Sequence, residues 1–235
     1  MRRELALEDF PKLESPFERE KIGGIYQCIP KIRKEYTWVW TEDCLATEKL
    51  DGTNVSAYIV NGNIKVIMNR KNIIDIWRSN KMFFEGVYNA LNRKYIVPEQ
   101  FEEIQIFGEL IGPKINGNPY KLQEHIWYPF SYIKRRYCFK FWKDFIKDCK
   151  GKGEQEIFDL TSNLFKCLWS IFKRQRNMKG EVNENVGFKN SVAAEGIVFY
   201  NIKTGQICKL RRDMFGWYKG RRHKGVSNLM KRKLS

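Results

Sequence analysis

Two β-rich runs, Val55-Ser56-Ala57-Tyr58-Ile59-Val60 and Ile64-Lys65-Val66-Ile67-Met68-Asn69, are separated by Asn61-Gly62. An Asn-Gly pair accepts the positive φ angles of a two-residue turn, so the stretch predicts an antiparallel hairpin. Further strands are predicted over Thr37 to Leu50, Glu103 to Leu110, Ile126 to Ile133, Ala194 to Tyr200 and Ile207 to Arg212. Two helical stretches lie among them. From Asp75 to Tyr95, Ile76, Phe83, Phe84, Val87 and Leu91 fall near one stripe, and Pro98 ends the pattern. Within residues 134–179, Phe158, Leu164, Phe165, Leu168 and Phe172 predict a long amphipathic helix. Residues 1–36 are broken by Pro11, Pro16, Gly23, Gly24 and Pro30, which predicts loop with one short helix at most and no visible chemistry.

The first predicted strand leads into Glu48-Lys49-Leu50-Asp51-Gly52-Thr53-Asn54. A lysine acts as a nucleophile only when its amine is unprotonated, and burial or neighbouring cations favour that form. Candidate cations stand far downstream at Lys209 and Arg211. By itself Lys-x-Asp-Gly is equally a solvated lysine running into a turn.

Other side chains gain meaning from the period of two along a strand. Glu103, Gln105, Phe107 and Glu109 share the face opposite Ile104 and Ile106, so Glu109 is either on a polar cleft or a surface acid on an edge. The hairpin returns Arg70 near the level of Gly52, to meet a phosphate or to stand exposed at a strand end. Trp127, Tyr128, Phe130 and Tyr132 are core or a stacking platform. Glu195 opens its strand beside Gly196. Lys209 and Arg211 lie two residues apart, on one face and roughly 6 to 7 Å from each other. Such a pair calls for an anion between them, and a phosphate meets that need.

The net charge decides between classes of partner. Lys and Arg number 43 against 27 Asp and Glu, giving +16, and residues 219–235 add basic side chains with no acid. A polyanion, nucleic acid first, is the expected partner. The basic stretches Lys134-Arg135-Arg136 and Lys173-Arg174-Gln175-Arg176 are either backbone contacts or solvated faces. Six cysteines without CxxC spacing and two histidines argue against a structural zinc site. The cysteines are expected as small core thiols in a reducing, intracellular setting, cytoplasmic or nuclear. No apolar run reaches membrane-spanning length, and no membrane association is expected.

Taken in order, Glu-Lys-Leu-Asp-Gly-Thr-Asn at 48–54, Phe-Gly-Glu-Leu at 107–110, an aromatic at Phe130, Glu-Gly-Ile-Val at 195–198 and Lys-Leu-Arg at 209–211 resemble the covalent nucleotidyltransferases. That superfamily holds ATP-dependent RNA ligases, DNA ligases and capping guanylyltransferases. Thr53-Asn54 and Gly112-Pro113-Lys114-Ile115 look most like the RNA ligase 2 and RNA-editing ligase branch.

The resemblance implies an α+β adenylyltransferase (ATP-grasp-like) domain of mostly antiparallel sheets flanked by helices. It implies ATP, with Mg2+ or Mn2+, as cofactors and RNA with 5′-phosphate and 3′-hydroxyl ends as substrate. Lys49 would attack the α-phosphorus of ATP, AMP would pass to a 5′-phosphate, and a 3′-hydroxyl would displace it. Glu109 would hold the ribose, Phe130 would stack on adenine and Glu195 would bind the metal. Lys209 and Arg211 would hold the α-phosphate. Asn54 and Arg70 would contact phosphate or ribose, while Glu48 and Asp51 flank the lysine within the nucleotide site.

Two features depart from the family pattern. Asp51 stands where relatives in this branch often carry histidine, and only a short stretch follows Arg211. The expectation is a catalytic domain over 1–218, a basic tail over 219–235, no separate carboxy-terminal domain, and a protein partner as the source of any missing one. A DNA-nick ligase, a GTP-using capping enzyme and a non-catalytic RNA-binding protein of the same fold are the rival readings.

Overall fold

The computed structural model describes residues 7–70, 72–74, 85–89, 103–130, 140–176 and 195–220. The chain divides into two compact units. One comprises Met1–Leu13, Thr47–Phe139 and Leu168–Ala194, the other Glu14–Ala46, Lys140–Cys167 and Glu195–Ser235. The strands are β1 (Phe17–Ile22), β2 (Ile25–Ile32), β3 (Cys44–Lys49), β4 (Thr53–Val60), β5 (Asn63–Asn69), β6 (Asn72–Ile73), β7 (Glu103–Ile111), β8 (Ile126–Pro129), β9 (Gly196–Asn201) and β10 (Ile207–Arg211). Helices α1 (Lys140–Cys149) and α2 (Glu154–Arg176) and two 3-10 helices, Lys34–Trp40 and Arg212–Met214, complete the elements. The outcome is the expected α+β class.

In the first unit a five-stranded antiparallel sheet runs in the order β6-β5-β4-β7-β8. The expected hairpin is β4/β5, with Asn61 at φ 48° and Gly62 at φ 72°, the left-handed pair of a turn that matches strand twist. Alternation sends Val55, Ala57 and Ile59 of β4 and Ile106 and Leu110 of β7 to one face, where Ile67, Ile74, Ile115 and Trp127 complete the core. Each valine, leucine or isoleucine among them contributes about 1.5–3 kcal/mol when fully buried. Residues 85–89 are helical and carry Val87 into this core. The rest of the helix expected over Asp75 to Tyr95 lies outside the described residues, as do the last residues of the strand expected to reach Ile133.

One close approach sets this sheet. The Trp127 indole crosses above Gly108 and donates its N–H to the Val55 carbonyl at 3.0 Å. A Cβ at Gly108 would collide with Nε1 and Cε2 of that indole and lie 2.7 Å from the Tyr128 carbonyl. A side chain at 108 and a bond between Trp127 and β4 therefore exclude each other.

The second unit overturns the expectation for residues 1–36. Instead of loop, β1 and β2 form an antiparallel hairpin around Gly23 (φ 58°) and Gly24 (φ 80°). Gly-Gly is a two-residue turn signal in its own right, read above only as a break. Pro30 is tolerated because it falls where the register shifts, between the pairs Phe17↔Ile32 and Arg19↔Cys28. The strand expected from Thr37 also starts later. Residues Lys34–Trp40 form a 3-10 helix with Trp38 and Val39 buried, and extended structure begins only at Cys44. Bonds from Thr41 N to Trp38 O (3.1 Å) and Cys44 N to Thr41 O (3.1 Å) make the turn between them.

The expected long helix is α2, which takes in Phe158, Leu164, Phe165, Leu168 and Phe172, and a separate helix, α1, precedes it. Gly151 takes φ 77° after α1, and Gly153 opens α2 with its carbonyl bonded to Ile157 N (3.0 Å) and its N–H to Glu156 Oε2 (3.2 Å). A glutamate three residues in reaching back to the cap is the usual N-terminal arrangement. Helix α1 buries Trp142, Phe145, Ile146 and Cys149, and α2 buries Ile157, Thr161 and Phe165, each set at helical spacing. Aromatic rings fill the interior. Phe158 and Phe165 lie 5.7 and 5.3 Å from Phe215, and Trp142 lies 4.8 Å from Phe199. A three-stranded sheet in the order β10-β9-β3 carries β9 and β10 as an antiparallel pair. Their turn is closed by Asn201 Oδ1, which accepts from Lys203 N (2.9 Å) and Thr204 N (3.0 Å).

Cys28, Cys44, Cys149 and Cys208 are buried as expected, whereas Cys167 is exposed. Burial pushes the Cys28 and Cys149 thiols up to about 11 and raises that of Cys208 as well, which keeps them protonated at neutral pH. Among the described residues no helix is long and apolar enough to cross a membrane. Substituting Gly108→Ala is expected to lower stability by about 1–3 kcal/mol through overpacking. Urea unfolding followed by tryptophan fluorescence measures it.

Candidate functional site

The face of the first unit's sheet opposite its core is where the predicted nucleotide residues lie. In the antiparallel register Asn54 is directly opposite Glu109, and Glu109 is directly opposite Tyr128. Paired residues share a face, so these three side chains form a row across β4, β7 and β8. All are half-buried. One step along, Ser56 opposes Phe107, and Phe130 N donates to Phe107 O at 2.9 Å, extending a second row. Glu109 thus stands on the polar face anticipated from the strand period, and Phe130 stands beside it.

This face is lined by a residue that the sequence did not single out. The Phe10 ring packs 5.4 Å from Phe107 and 4.9 Å edge-on to Phe130. Its segment is tied down by the Gln105 amide, which accepts from Glu8 N (3.1 Å) and donates to Glu8 O (2.9 Å) and to Ser56 Oγ (3.0 Å). A lone aromatic in a proline-punctuated stretch gives no signal of such a role.

Lys49 is the last residue of β3 and half-buried, with Nζ donating to the Leu50 carbonyl at 3.2 Å. Glu48 precedes it, also half-buried. The turn that follows is braced from the loop after β7. Asp51 N donates to Tyr120 Oη at 2.7 Å. Asn116 Nδ2 donates to Asp51 Oδ1 (2.8 Å) and to the Gly52 carbonyl (2.7 Å). Gly52 is needed because a Cβ there would lie 2.7 Å from Ile111 Cγ2 and 2.8 Å from Glu109 Cγ. The lysine turn therefore packs against the Leu110 backbone carbonyl of the Glu109 strand as well as against these side chains. Arg70 is exposed at φ 54°, one residue beyond Asn69, which pairs with Val55. Its level along β4 is that of Asn54, close to the expected position.

The remaining predicted residues form a second group in the other unit. Lys209 opposes Val198 and Arg211 opposes Gly196, so both cations point to one face, as anticipated. Arg211 does not stand unbalanced. Its Nε lies 3.0 Å from Asp213 Oδ1 and its Nη1 3.8 Å from Glu195 Oε1. The side chains of Arg211, Glu195 and Asp213 are only 14, 9 and 7% exposed. Protein carboxylates thus supply part of the anion that the cation pair calls for. Asp213, which with Arg212 directly follows the Lys-Leu-Arg run, is not marked by any of the motifs read above.

Among the described residues no group of three or more His, Cys, Asp or Glu is arranged to enclose a metal. Glu195 and Asp213, which both lie against Arg211, are hard oxygen donors of the kind that a divalent cation takes singly or in pairs, completing its shell with phosphate oxygens and water.

A family model described as RNA ligase matches residues 42–215. No curated protein sequence matches the chain. Solved structures of Naegleria gruberi RNA ligase resemble it at low identity. One with PPi has a TM-score of 0.41 and 18% identity, covering 87% of this chain and 58% of that one. One of a variant with AMP and Mn has a TM-score of 0.41 and 16% identity over the same shares. The chain therefore spans less than two thirds of the length of those structures.

Removing one carboxylate from the Arg211 cluster leaves a buried guanidinium with less compensation. Asp213→Ala is expected to destabilise the protein by about 3–5 kcal/mol, the range for breaking a buried ion pair from one side. Thermal unfolding at neutral pH checks it.

Proposed function

The chain belongs to the RNA ligase family, and from that membership we propose that it uses ATP to join the 3′-hydroxyl and 5′-phosphate ends of RNA through a covalent lysyl-AMP. The observation that carries this reading is that the matched residues 42–215 take in every candidate side chain from Glu48 to Arg211. Lys49 Nζ attacks the α-phosphorus, forming a P–N bond as the bond to the pyrophosphate oxygen breaks. The AMP then moves to a 5′-phosphate oxygen, freeing Lys49, and the 3′-hydroxyl attacks that 5′-phosphorus with AMP as leaving group.

Each side chain has a task that its surroundings support. The pair Asn54–Glu109 presents an amide and a carboxylate, groups that suit ribose hydroxyls. Phe130, with Phe10 and Phe107 around it, offers adenine an aromatic face. Arg70 is an exposed cation for the outer phosphates. Glu48 and Asp51 flank the nucleophile, and the Asp51 carboxylate is held by Asn116. Lys209 and Arg211 hold the α-phosphate and offset the charge that grows on it. Glu195 is the residue to hold Mg2+ or Mn2+, and a cation bound there neutralises phosphate charge. Residues 1–218 would make up the catalytic portion, and the basic residues of 219–235 would add attraction for the RNA backbone.

Incubation with ATP labelled at the α-phosphate and either metal should leave label on the denatured wild-type chain. Lys49→Ala should take none, and GTP should not substitute. Absence of label with both metals would sink the reading. Sealing of nicked RNA in preference to nicked DNA then separates it from a DNA ligase.

A further inference from the structure

The peptide between Leu50 and Asp51 is held at both of its polar ends. Its carbonyl accepts from Lys49 Nζ at 3.2 Å, while its N–H donates to Tyr120 Oη at 2.7 Å. A trans peptide is planar with its N–H and C=O pointing in opposite directions, so a partner that fixes the N–H also fixes the carbonyl. The next turn of chain is fixed as well, by the Asn116 amide on the Asp51 carboxylate and the Gly52 carbonyl.

The loop that supplies these groups is itself braced. Lys114 and Lys121 take φ of 64° and 51°, a region that lysine occupies only when its surroundings hold it there, and Asn116 and Asn118 take φ of 46° and 50°. Asn118 bonds Leu122 in both directions, through Nδ2 to the carbonyl (2.8 Å) and Oδ1 from the N–H (3.0 Å). His125 Nε2 lies 2.8 Å from the Pro113 carbonyl. Tyr120 is 4% exposed, so its hydroxyl reaches the peptide from a packed ring.

We propose that Tyr120, assisted by Asn116, is a positioning residue for Lys49. Its hydroxyl orients the Leu50 carbonyl and through it sets where the Lys49 amine stands before attack. The inference rests on the proposed role of Lys49 as nucleophile. It assigns a function to the loop after β7 that neither charge nor an aromatic platform explains: the loop is the clamp that makes a flexible four-carbon side chain start from one place.

The test uses the full chain with Tyr120→Phe, which keeps the ring and removes only the oxygen. Single-turnover formation of lysyl-AMP should slow by about tenfold at saturating ATP while the KM for ATP stays within about twofold, the pattern of a defect in the reacting geometry rather than in binding. Sealing of RNA already carrying a 5′-adenylate, which bypasses the attack by Lys49, should keep its wild-type rate. Asn116→Ala, at an exposed position, should likewise slow lysyl-AMP formation and leave sealing of adenylated RNA at its wild-type rate, and it covers the case in which Tyr120→Phe does not fold. A wild-type adenylylation rate in the variants overturns the inference, as does an equal fall in both reactions. A wild-type chain that takes no label overturns the ligase reading itself, an outcome distinct from either.

Discussion

The register between β4 and β7 is the constraint on which the rest of the first unit depends. Shifting it by one residue would turn Asn54 away from Glu109 and drive Val55 and Ala57 out of the core. The Trp127 indole opposes such a slip from a third strand, since its bond to the Val55 carbonyl can form only where Gly108 leaves room for the ring. Packing on the core face therefore aligns the polar face. Gly52 extends the same logic to the lysine turn, which can lie against Glu109 and Ile111 only without a side chain of its own. Glycine appears at both places for close approach, not for flexibility.

Much of this was legible in the sequence because it rests on local rules. The Asn61-Gly62 hairpin, the β9 and β10 strands, the polar side of β7 and the shared face of Lys209 and Arg211 all follow from turn chemistry and the period of two. The misreadings share a cause. Gly23-Gly24 and Pro30 interrupt the sequence pattern, yet a glycine pair is also a turn and a proline fits a strand where the register shifts. The aromatic run Tyr36-Thr37-Trp38-Val39-Trp40 looks like a strand by composition but is held as a 3-10 helix, with Trp38 and Val39 buried. At the site, Phe10, Asn116, Tyr120 and Asp213 escaped notice because their importance lies in what they touch. Phe10 meets Phe130 from 120 positions away along the chain, a contact no periodicity encodes.

Arg211 illustrates how a cation can be both buried and useful. A guanidinium has five N–H donors in a planar fork, and its contacts with Asp213 and Glu195 at 3.0 and 3.8 Å lie on different nitrogens. On the proposed reading, carboxylates that hold this cation by charge lessen the need to order it when a phosphate arrives, which is what makes fixed charges effective at a developing anion. The same carboxylates reduce its net field, so the arrangement trades strength of attraction for definition of direction. A lysine at 211 would keep the charge and lose that definition.

Positive charge in this protein therefore works at two ranges. Lys and Arg number 43 against 27 Asp and Glu, and among the described residues cations such as Lys65, Lys114, Lys121 and Lys147 are exposed to solvent. Fields from such groups fade over about 8–10 Å at physiological ionic strength, and they act on a polyanion through counterion release. Arg211 is 14% exposed and paired within 4 Å, where screening by salt is weak. On the proposed reading the exposed cations gather RNA without choosing it, while the buried one and the clamped Lys49 turn define where a phosphate reacts. Ionic strength then bears on how much RNA is held and hardly at all on how the reacting groups are aligned, because the second property is fixed by hydrogen bonds and close packing rather than by the field of the whole chain.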